Sequence, residues 1–253
     1  MFERLGKCLR AYAEKDGRGY PDWAVRYMPI VRRLAGRDLG GERILEIGAN
    51  ENGFARFAGA RTIAVDRALA HLGAARAAQN VLPVMADAAA LPFGEGRIGL
   101  CVCVDTFEHL TPDARNAAAE EIARVLHSKG TGVVAFPTGA ASSEAERLIA
   151  DDYASLTGER LHWLDEHAAV GLPDAETVAN ELERHLAHTH RITTRANATL
   201  WVWKRMWRIL MCAWPGRGNA LFQALLRLLT PLLSRIHAGT CYRVVFWIEP
   251  REP

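Results

Sequence analysis

One long stretch towards the end of the chain has no acid. From Arg184 to Ile248 there is not one Asp or Glu, while ten Lys and Arg fall in that stretch. The whole chain of 253 residues carries a formal net charge of only +2. The remainder is therefore net acidic, and the molecule is polarised. Cysteine is scarce and irregularly spaced: Cys8, Cys101, Cys103, Cys212 and Cys241. An odd number with no paired interval argues against a disulfide framework and for a reducing compartment. Cys101 and Cys103 face the same way if their run is a strand, too constrained for a natural disulfide. They lack a second ligand pair, so the C-x-C is not read as a zinc site. The opening MFERLGKCLRAYAEKDG has no apolar stretch of signal-peptide length, and a cytoplasmic location is expected. Internal repeats and low-complexity linkers are absent too.

What is present is an ordinary globular composition, 49% hydrophobic and 24% charged, enough for a sizeable core without disulfides or metals. Residues 1–40 read as helices, with Asp22 as a cap and Gly36, Gly40 and Gly41 ending the segment. Short apolar runs follow at 43–47, 62–65, 81–85, 98–104 and 132–136. Ala-rich segments between them, 68–78 and 113–126, suit helices. Thr111 is placed to cap the second with Pro112 at its first position, and Gly130 to end it. Strands alternating with helices predict right-handed βαβ units and a parallel sheet. Residues 139–190 read as loop and helix, clearest at 173–186. A sixth strand is expected at 193–203 and a seventh at 242–248.

Four of the five early strands end in, or soon reach, an acidic residue: Glu46, Asp66, Asp87 and Asp105. Ligands of open α/β sheets bind at the carboxyl ends of strands, so these acids are candidate ligand contacts. The segment ILEIGANENGFARF (44–57) is a strand, a tight turn at Gly48 and a helix beginning near Gly53. Glycine lets the chain turn and approach a ligand, and Asn50 and Asn52 tolerate positive φ where further glycines are common. Asp66, twenty residues after Glu46, suits ribose hydroxyls. Asp87, in MADAAALPF, suits an adenine amino group. A nicotinamide dinucleotide would call for G-x-G-x-x-G, and Gly48-Ala49-Asn50 breaks that pattern.

The pieces LEIGANENG, IAVDRA, MADAAALPF, CVCVDTFEHL and GTGVVAFPTG, in that order and spacing, resemble the class I S-adenosylmethionine-dependent methyltransferases of the small-molecule and lipid type. The resemblance covers the middle 40% or so of the chain. It implies a doubly wound, Rossmann-like, seven-stranded, mostly parallel sheet, with the last strands partly antiparallel. It also implies S-adenosylmethionine as cofactor, held by Glu46, Gly48, Asn50 and Gly53 at its methionine end. Asp66 with Arg67 would serve the ribose, Asp87 with Ala88 the adenine, and Asp105 would lie near the sulfonium. The loop departs from the family, with Asn50 and Asn52 in place of customary glycines and one extra residue before Gly53.

Methyl transfer is an in-line displacement in which the protein supplies mainly alignment. Where a base is needed, His109 and Asp105, on VDTFEHL after the fourth strand, are the catalytic candidates. Asp105, Glu108 and His109 also form a D-x-x-E-H set, close to an E-x-x-E-H set with which some class I methyltransferases hold magnesium; no metal is expected here. His162, Trp163 and His167, in LHWLDEHAAVGLP (161–173), are candidates for lining the substrate opening. Alternatively, Trp163 is core and the histidines are surface.

The whole chain is read as a single methyltransferase domain over 1–253, with a helical cap at 1–40, a cofactor core at 41–138, substrate-side helices at 139–190 and an apolar, basic helical insert at 204–240. Within it a helix at 219–236 is apolar except for Gln223, Arg227, Thr230 and Ser234, which form one narrow stripe. Trp, Leu and Arg without acids suit a helix lying in a membrane interface. Packing on the sheet and a dimer contact are the plainer readings, and the cations are too sparse for nucleic acid. The expected function is methyl transfer to a hydrophobic or lipid-linked small molecule. The rivals are an inactive scaffold of the same fold and a nicotinamide-dependent oxidoreductase.

Overall fold

A computed structural model describes residues 21–35, 43–49, 53–54, 61–68, 70–72, 80–213 and 220–251. The expected helices before residue 21 and over 68–78 lie wholly or mostly outside these residues, as do Asn50 and Asn52 of the first loop.

The described elements run α1 (Pro21–Leu34), β1 (Ile44–Ile47), β2 (Thr62–Asp66), β3 (Val81–Met85), β4 (Ile98–Val104), a 3₁₀ turn (Phe107–His109), α2 (Pro112–Val125), β5 (Leu126–Pro137), α3 (Ala140–Thr157), α4 (His162–Val170), α5 (Ala175–Leu186), β6 (His190–Thr199), α6 (Leu200–Ala213), α7 (Ala220–Leu233) and β7 (Cys241–Pro250). The seven strands form one sheet in the order β3-β2-β1-β4-β5-β7-β6. Strands β1 to β5 are parallel; β7 runs antiparallel to both β5 and β6. The strand order reverses between β1 and β4, which makes that gap the switch point where such sheets open a ligand crevice.

Strand β4 shows why both faces are covered. Leu100, Val102 and Val104 pack with Tyr27, Ile30 and Leu34 of α1 on one face. Cys101 and Cys103 point the other way, into a cluster with Ile122 and Val125 of α2 and Val178 and Leu182 of α5. This is the period-two alternation of a strand buried on both sides. The two thiols share a face and are free, and burial pushes the Cys101 thiol up to about 12. A third cluster, with Val25, Ile149, Leu164, Trp203 and Tyr242, joins α1, α3, α4, α6 and the start of β7. Residue pairing places Pro137 at the end of β5 opposite Arg243, and Thr199 opposite Cys241. The excursion through α6 and α7 therefore leaves and rejoins the sheet at the carboxyl edge.

Several boundaries differ from expectation. Helix α2 starts as predicted, with Thr111 accepting from the Ala114 N–H and Pro112 in the first turn. It stops at Val125, however, because Leu126 is already extended at φ −71, ψ 130. Gly130 is thus inside β5, where an added Cβ would sit 2.9 Å from the His127 carbonyl and 3.0 Å from that of Gly99. The glycine serves backbone approach there and does not end a helix. Strand β6 ends at Thr199, and Leu200 to Trp203 open α6. Asp22 lies within α1, whose first residue is Pro21, so it does not stand before the helix as a cap.

Helices α2 and α5 are tied by a buried pair. Arg115 Nε donates to Glu181 Oε2 at 3.0 Å and Nη2 to Oε1 at 3.4 Å, with side chains 7% and 10% exposed. Removing one partner leaves the other charge uncompensated. Arg115→Ala is expected to lower unfolding free energy by about 3–5 kcal/mol in urea denaturation, whereas breaking the exposed Arg147–Glu144 pair should leave stability nearly unchanged.

Candidate active site

The tips of the first three strands lie side by side. Glu46 pairs with Ala64 across β1 and β2, and Asp66 pairs with Met85 across β2 and β3. With neighbouring strands roughly 4.8 Å apart, Gly48, Asp66 and Asp87 occupy one edge of the sheet. Gly48 has φ +72, and a Cβ there would meet Thr106 Oγ1 at 1.9 Å. Thr106 in turn donates to the Ile47 carbonyl at 3.2 Å, across the switch point. Only glycine satisfies both the turn and this contact.

Glu46 is 3% exposed. Its Oε1 accepts the Phe54 N–H, and a Cβ on Gly53 would lie 2.1 Å from the same oxygen. Glu46 and Gly53, expected to touch the cofactor, are thus seen bracing the loop that follows β1. Asp66 Oδ1 accepts the Ala68 N–H at 2.7 Å and lies 3.1 Å from His71 Nδ1. Asp87 is exposed in a turn and accepts the Ala89 N–H at 2.9 Å; Ala88 sits inside that turn and Arg67 follows Asp66 directly. A glycine turn, two carboxylates and one open edge fit an adenosyl group: the turn admits it closely, and the acids can accept from its hydroxyl and amino groups.

Across the switch point, Asp105 has a positive φ of 56, a conformation Asp tolerates better than most residues. Its Oδ2 pairs with Arg26 of α1 and its Oδ1 with Arg243 of β7. Both oxygens are engaged, so Asp105 is an anchor for two guanidinium groups more than a base.

His109 Nδ1 lies 3.1 Å from Glu166 Oε2, and its ring packs 4.7 Å from that of His167. Burial, followed by the neighbouring His167, lowers His109 to about 4. The imidazole is therefore neutral at pH 7 and able to accept a proton. Glu108 is 1% exposed, and burial pushes its carboxyl up to about 8. His167 is buried as well: Nδ1 lies 3.0 Å from Glu146 Oε1, which also accepts from the Tyr242 hydroxyl. Trp163 packs 5.3 Å from His167 and 5.5 Å from Trp207. His162 is exposed. Of the three residues expected at the substrate opening, two come together beside His109 and one does not.

Several members escaped the sequence reading. Arg243 is the lone charge within the apolar YRVVFWI, a signal that was available. Arg26, Glu146 and Tyr242 carried none, since their roles depend on a cap built from four distant segments.

The model of a family described as "Methyltransferase domain" matches residues 45–134. Residues 45–134, less than half of the chain, are thus similar to that methyltransferase family. No curated protein matches the chain. Among solved structures, the geranyl diphosphate C-methyltransferase of Streptomyces coelicolor A3(2) is similar at 12% identity over 88% of this chain and 77% of that one, with a TM-score of 0.58. Phosphoethanolamine N-methyltransferase 2 of Haemonchus contortus matches at 16% identity, 89% and 52% coverage and a TM-score of 0.56. A methyltransferase bound to the Haloferax volcanii Trm112 activator matches at 13% identity, 96% and 98% coverage and a TM-score of 0.56. These likenesses concern the fold. The first two structures hold S-adenosylhomocysteine and S-adenosylmethionine respectively.

The buried acid gives the domain a pH dependence. Because the Glu108 carboxyl is raised from 4.5 to about 8, the folded state holds more protons than the unfolded state between those values. Its contribution to stability is full below 4.5 and lost as pH rises through about 8. His109, lowered from 6.5 to about 4, acts oppositely: its contribution is present above 6.5 and lost as pH falls through about 4. Glu108→Gln should therefore raise the melting temperature at about pH 8.5 by several degrees, a gain on the order of 1–3 kcal/mol, and change it little near pH 5. Calorimetric melts in chelator-treated buffer over that range check this. A constant offset at every pH would mean that Glu108 is not buried as an acid.

Proposed function

We propose that this chain transfers the methyl group of S-adenosylmethionine to a hydrophobic acceptor with an anionic head, working at a membrane surface. The observation that carries the methyltransferase reading is the alignment of Gly48, Asp66 and Asp87 along one edge, opening at the switch point onto Asp105 and His109. The cofactor supplies an electrophilic methyl group and its own leaving group. The chain's part is to hold and orient. Asp66 and Asp87 offer carboxylate acceptors, Gly48 and the following loop admit the cofactor closely, and neutral His109 can take a proton from a hydroxyl or amine nucleophile.

The cations of α6 support an anionic head. Lys204, Arg205 and Arg208 line a cavity of about 430 Å³ with Trp201 and Thr240. The acceptors named for two of the similar enzymes, geranyl diphosphate and phosphoethanolamine, both carry phosphate.

Helix α7 supports the membrane surface. It packs with its polar side inward: Thr230 and Ser234 are 2% and 0% exposed, and Arg32 of α1 donates to the Pro231 and Ser234 carbonyls at 3.3 Å. Leu225, Leu228, Leu229 and Leu232 face out, with Leu228 66% exposed. The other two polar positions of the stripe, Gln223 and Arg227, lie outside the described side chains. No described helix is long and apolar enough to cross a membrane. An outward leucine face beside basic residues is the pattern of a helix that lies in the interface.

Two measurements test the reading. Calorimetry with S-adenosylmethionine should show binding that Asp66→Ala weakens by about 1–3 kcal/mol, the loss of charged hydrogen bonds. No heat with the unaltered chain would favour an inactive scaffold. Flotation with vesicles of phosphatidylglycerol and phosphatidylcholine should recover the protein, and Leu228→Glu with Leu232→Glu should abolish recovery without lowering cofactor affinity. Recovery of the double variant equal to the original would remove the membrane from the proposal.

A further inference from the structure

We propose that Glu108, His109 and His167 form a binding site for one divalent transition-metal cation, of the kind held by two imidazoles and one carboxylate. The site lies apart from the adenosyl edge but shares His109 with the proposed function; with a cation bound, that imidazole is a ligand and not the free base. One ligand atom from each of the three residues lies within 4.8 Å of the others. Bonds of about 2.0–2.2 Å from nitrogen and oxygen to such a metal would require each donor to move inward by less than about 1 Å.

Three features separate this cluster from a chance meeting of polar groups. First, Glu108 Oε2 is buried and has no hydrogen-bond partner among the described residues. His167 Nε2 stands 4.0 Å from Glu108 Oε1, too far for a hydrogen bond and close to the separation that one shared cation would draw in. Second, His167 is oriented from behind. Its Nδ1 faces Glu146 Oε1 at 3.0 Å, and Glu146 is fixed by the Tyr242 hydroxyl. Metal-bound histidines almost always give their other ring nitrogen to such a carboxylate, which sets the tautomer and turns the lone pair of Nε2 forward. Third, the site is closed on one side and open on the other. Glu108 and His167 are buried, while the His109 side chain is 32% exposed, so a fourth position is accessible from the side of His109. Two imidazoles suit zinc(II) or iron(II) better than magnesium, which prefers oxygen.

The third ligand comes from a different place than the D-x-x-E-H spacing suggests. Asp105 is spent on Arg26 and Arg243, and His167 of α4 stands in its place. A cation there would sit one turn beyond β4, beside the switch point, with an open position for an oxygen of the acceptor.

The test uses the untagged full chain, stripped with chelator and titrated with zinc chloride by calorimetry and with cobalt(II) chloride by visible absorption. Saturation at one zinc per chain is expected, together with cobalt d–d bands and no intense thiolate charge-transfer band. Glu108→Gln should weaken zinc by at least about tenfold, and Glu146→Gln, which touches no metal, by about 10–100-fold. His127→Ala, an exposed histidine at the opposite end of β5, should leave affinity unchanged. The absence of saturable zinc binding, a thiolate band, or undiminished affinity in Glu108→Gln would each overturn the site. The cobalt spectrum of the unaltered chain decides the ligand type even where a variant fails to fold.

Discussion

Asp105 joins three parts of the chain that are distant in sequence. Its two carboxylate oxygens face Arg26 from α1 and Arg243 from β7, and its own backbone is at positive φ at the tip of β4. A non-glycine residue in that conformation costs free energy unless its surroundings over-determine it, and two guanidinium groups do so. The consequence is positional. Helix α1 is drawn across the switch point, the start of β7 is fixed at the carboxyl edge, and the chain between Asp105 and His109 has one course to follow. The clustering of Glu108, His109, His167 and Glu146 depends on that course.

The same tie explains why the cap has an apolar interior of its own. Val25, Tyr242 and Trp203 belong to three segments that Asp105, Arg26 and Arg243 bring together, and the Trp203 and Tyr242 rings stack at 3.7 Å. Tyr242 then has its hydroxyl in reach of Glu146, and Glu146 orients His167. A polar chain of three groups, Tyr242, Glu146 and His167, thus runs from the cap core to the site. Its members are largely satisfied internally, the condition under which buried polar networks specify a geometry at low cost.

Much of this was legible beforehand, and the reason differs between the two halves. The sheet was legible because β4 and its neighbours alternate apolar residues over both faces, and because acids at strand tips have few uses other than at an edge. Strands β3 and β4 agree with expectation to the residue; Asp105 closes β4 directly and Asp87 follows β3 after one residue. The boundary at Gly130 was misread because a glycine after a helical pattern suggests a helix end, while here it answers to two carbonyls across the sheet. Of the candidate site, the sequence marks Gly48, Asp66, Asp87 and His109, each at or just after the end of a strand. Arg26, Glu146, Glu166 and Tyr242 act through long-range contacts that no spacing encodes. The narrow polar stripe of α7 was visible, but its direction was not. Periodicity shows that a helix has two sides, and only packing shows that Thr230 and Ser234 are the inner one.

Charge finally divides the crevice in a way that matches its proposed reactants. The edge formed by β1, β2 and β3 presents acids, Asp66 and Asp87 with Glu46 behind them. Across the switch point Arg26 and Arg243 pair with Asp105, and Lys204, Arg205 and Arg208 of α6 belong to the stretch of chain that contains no acid. A sulfonium donor carries a positive charge at the reacting centre, and the proposed acceptor a negative one at its head. On the proposed reading, the acids would favour the sulfonium on their side and the cations the acceptor's head on theirs. The outward leucines of α7 extend the basic rim, and an apolar acceptor would approach from that direction. In a fold shared by methyltransferases of many acceptors, this asymmetry is a property of these residues and not of the sheet. It is also what a chain of nearly zero net charge achieves by keeping acids out of one stretch of its length.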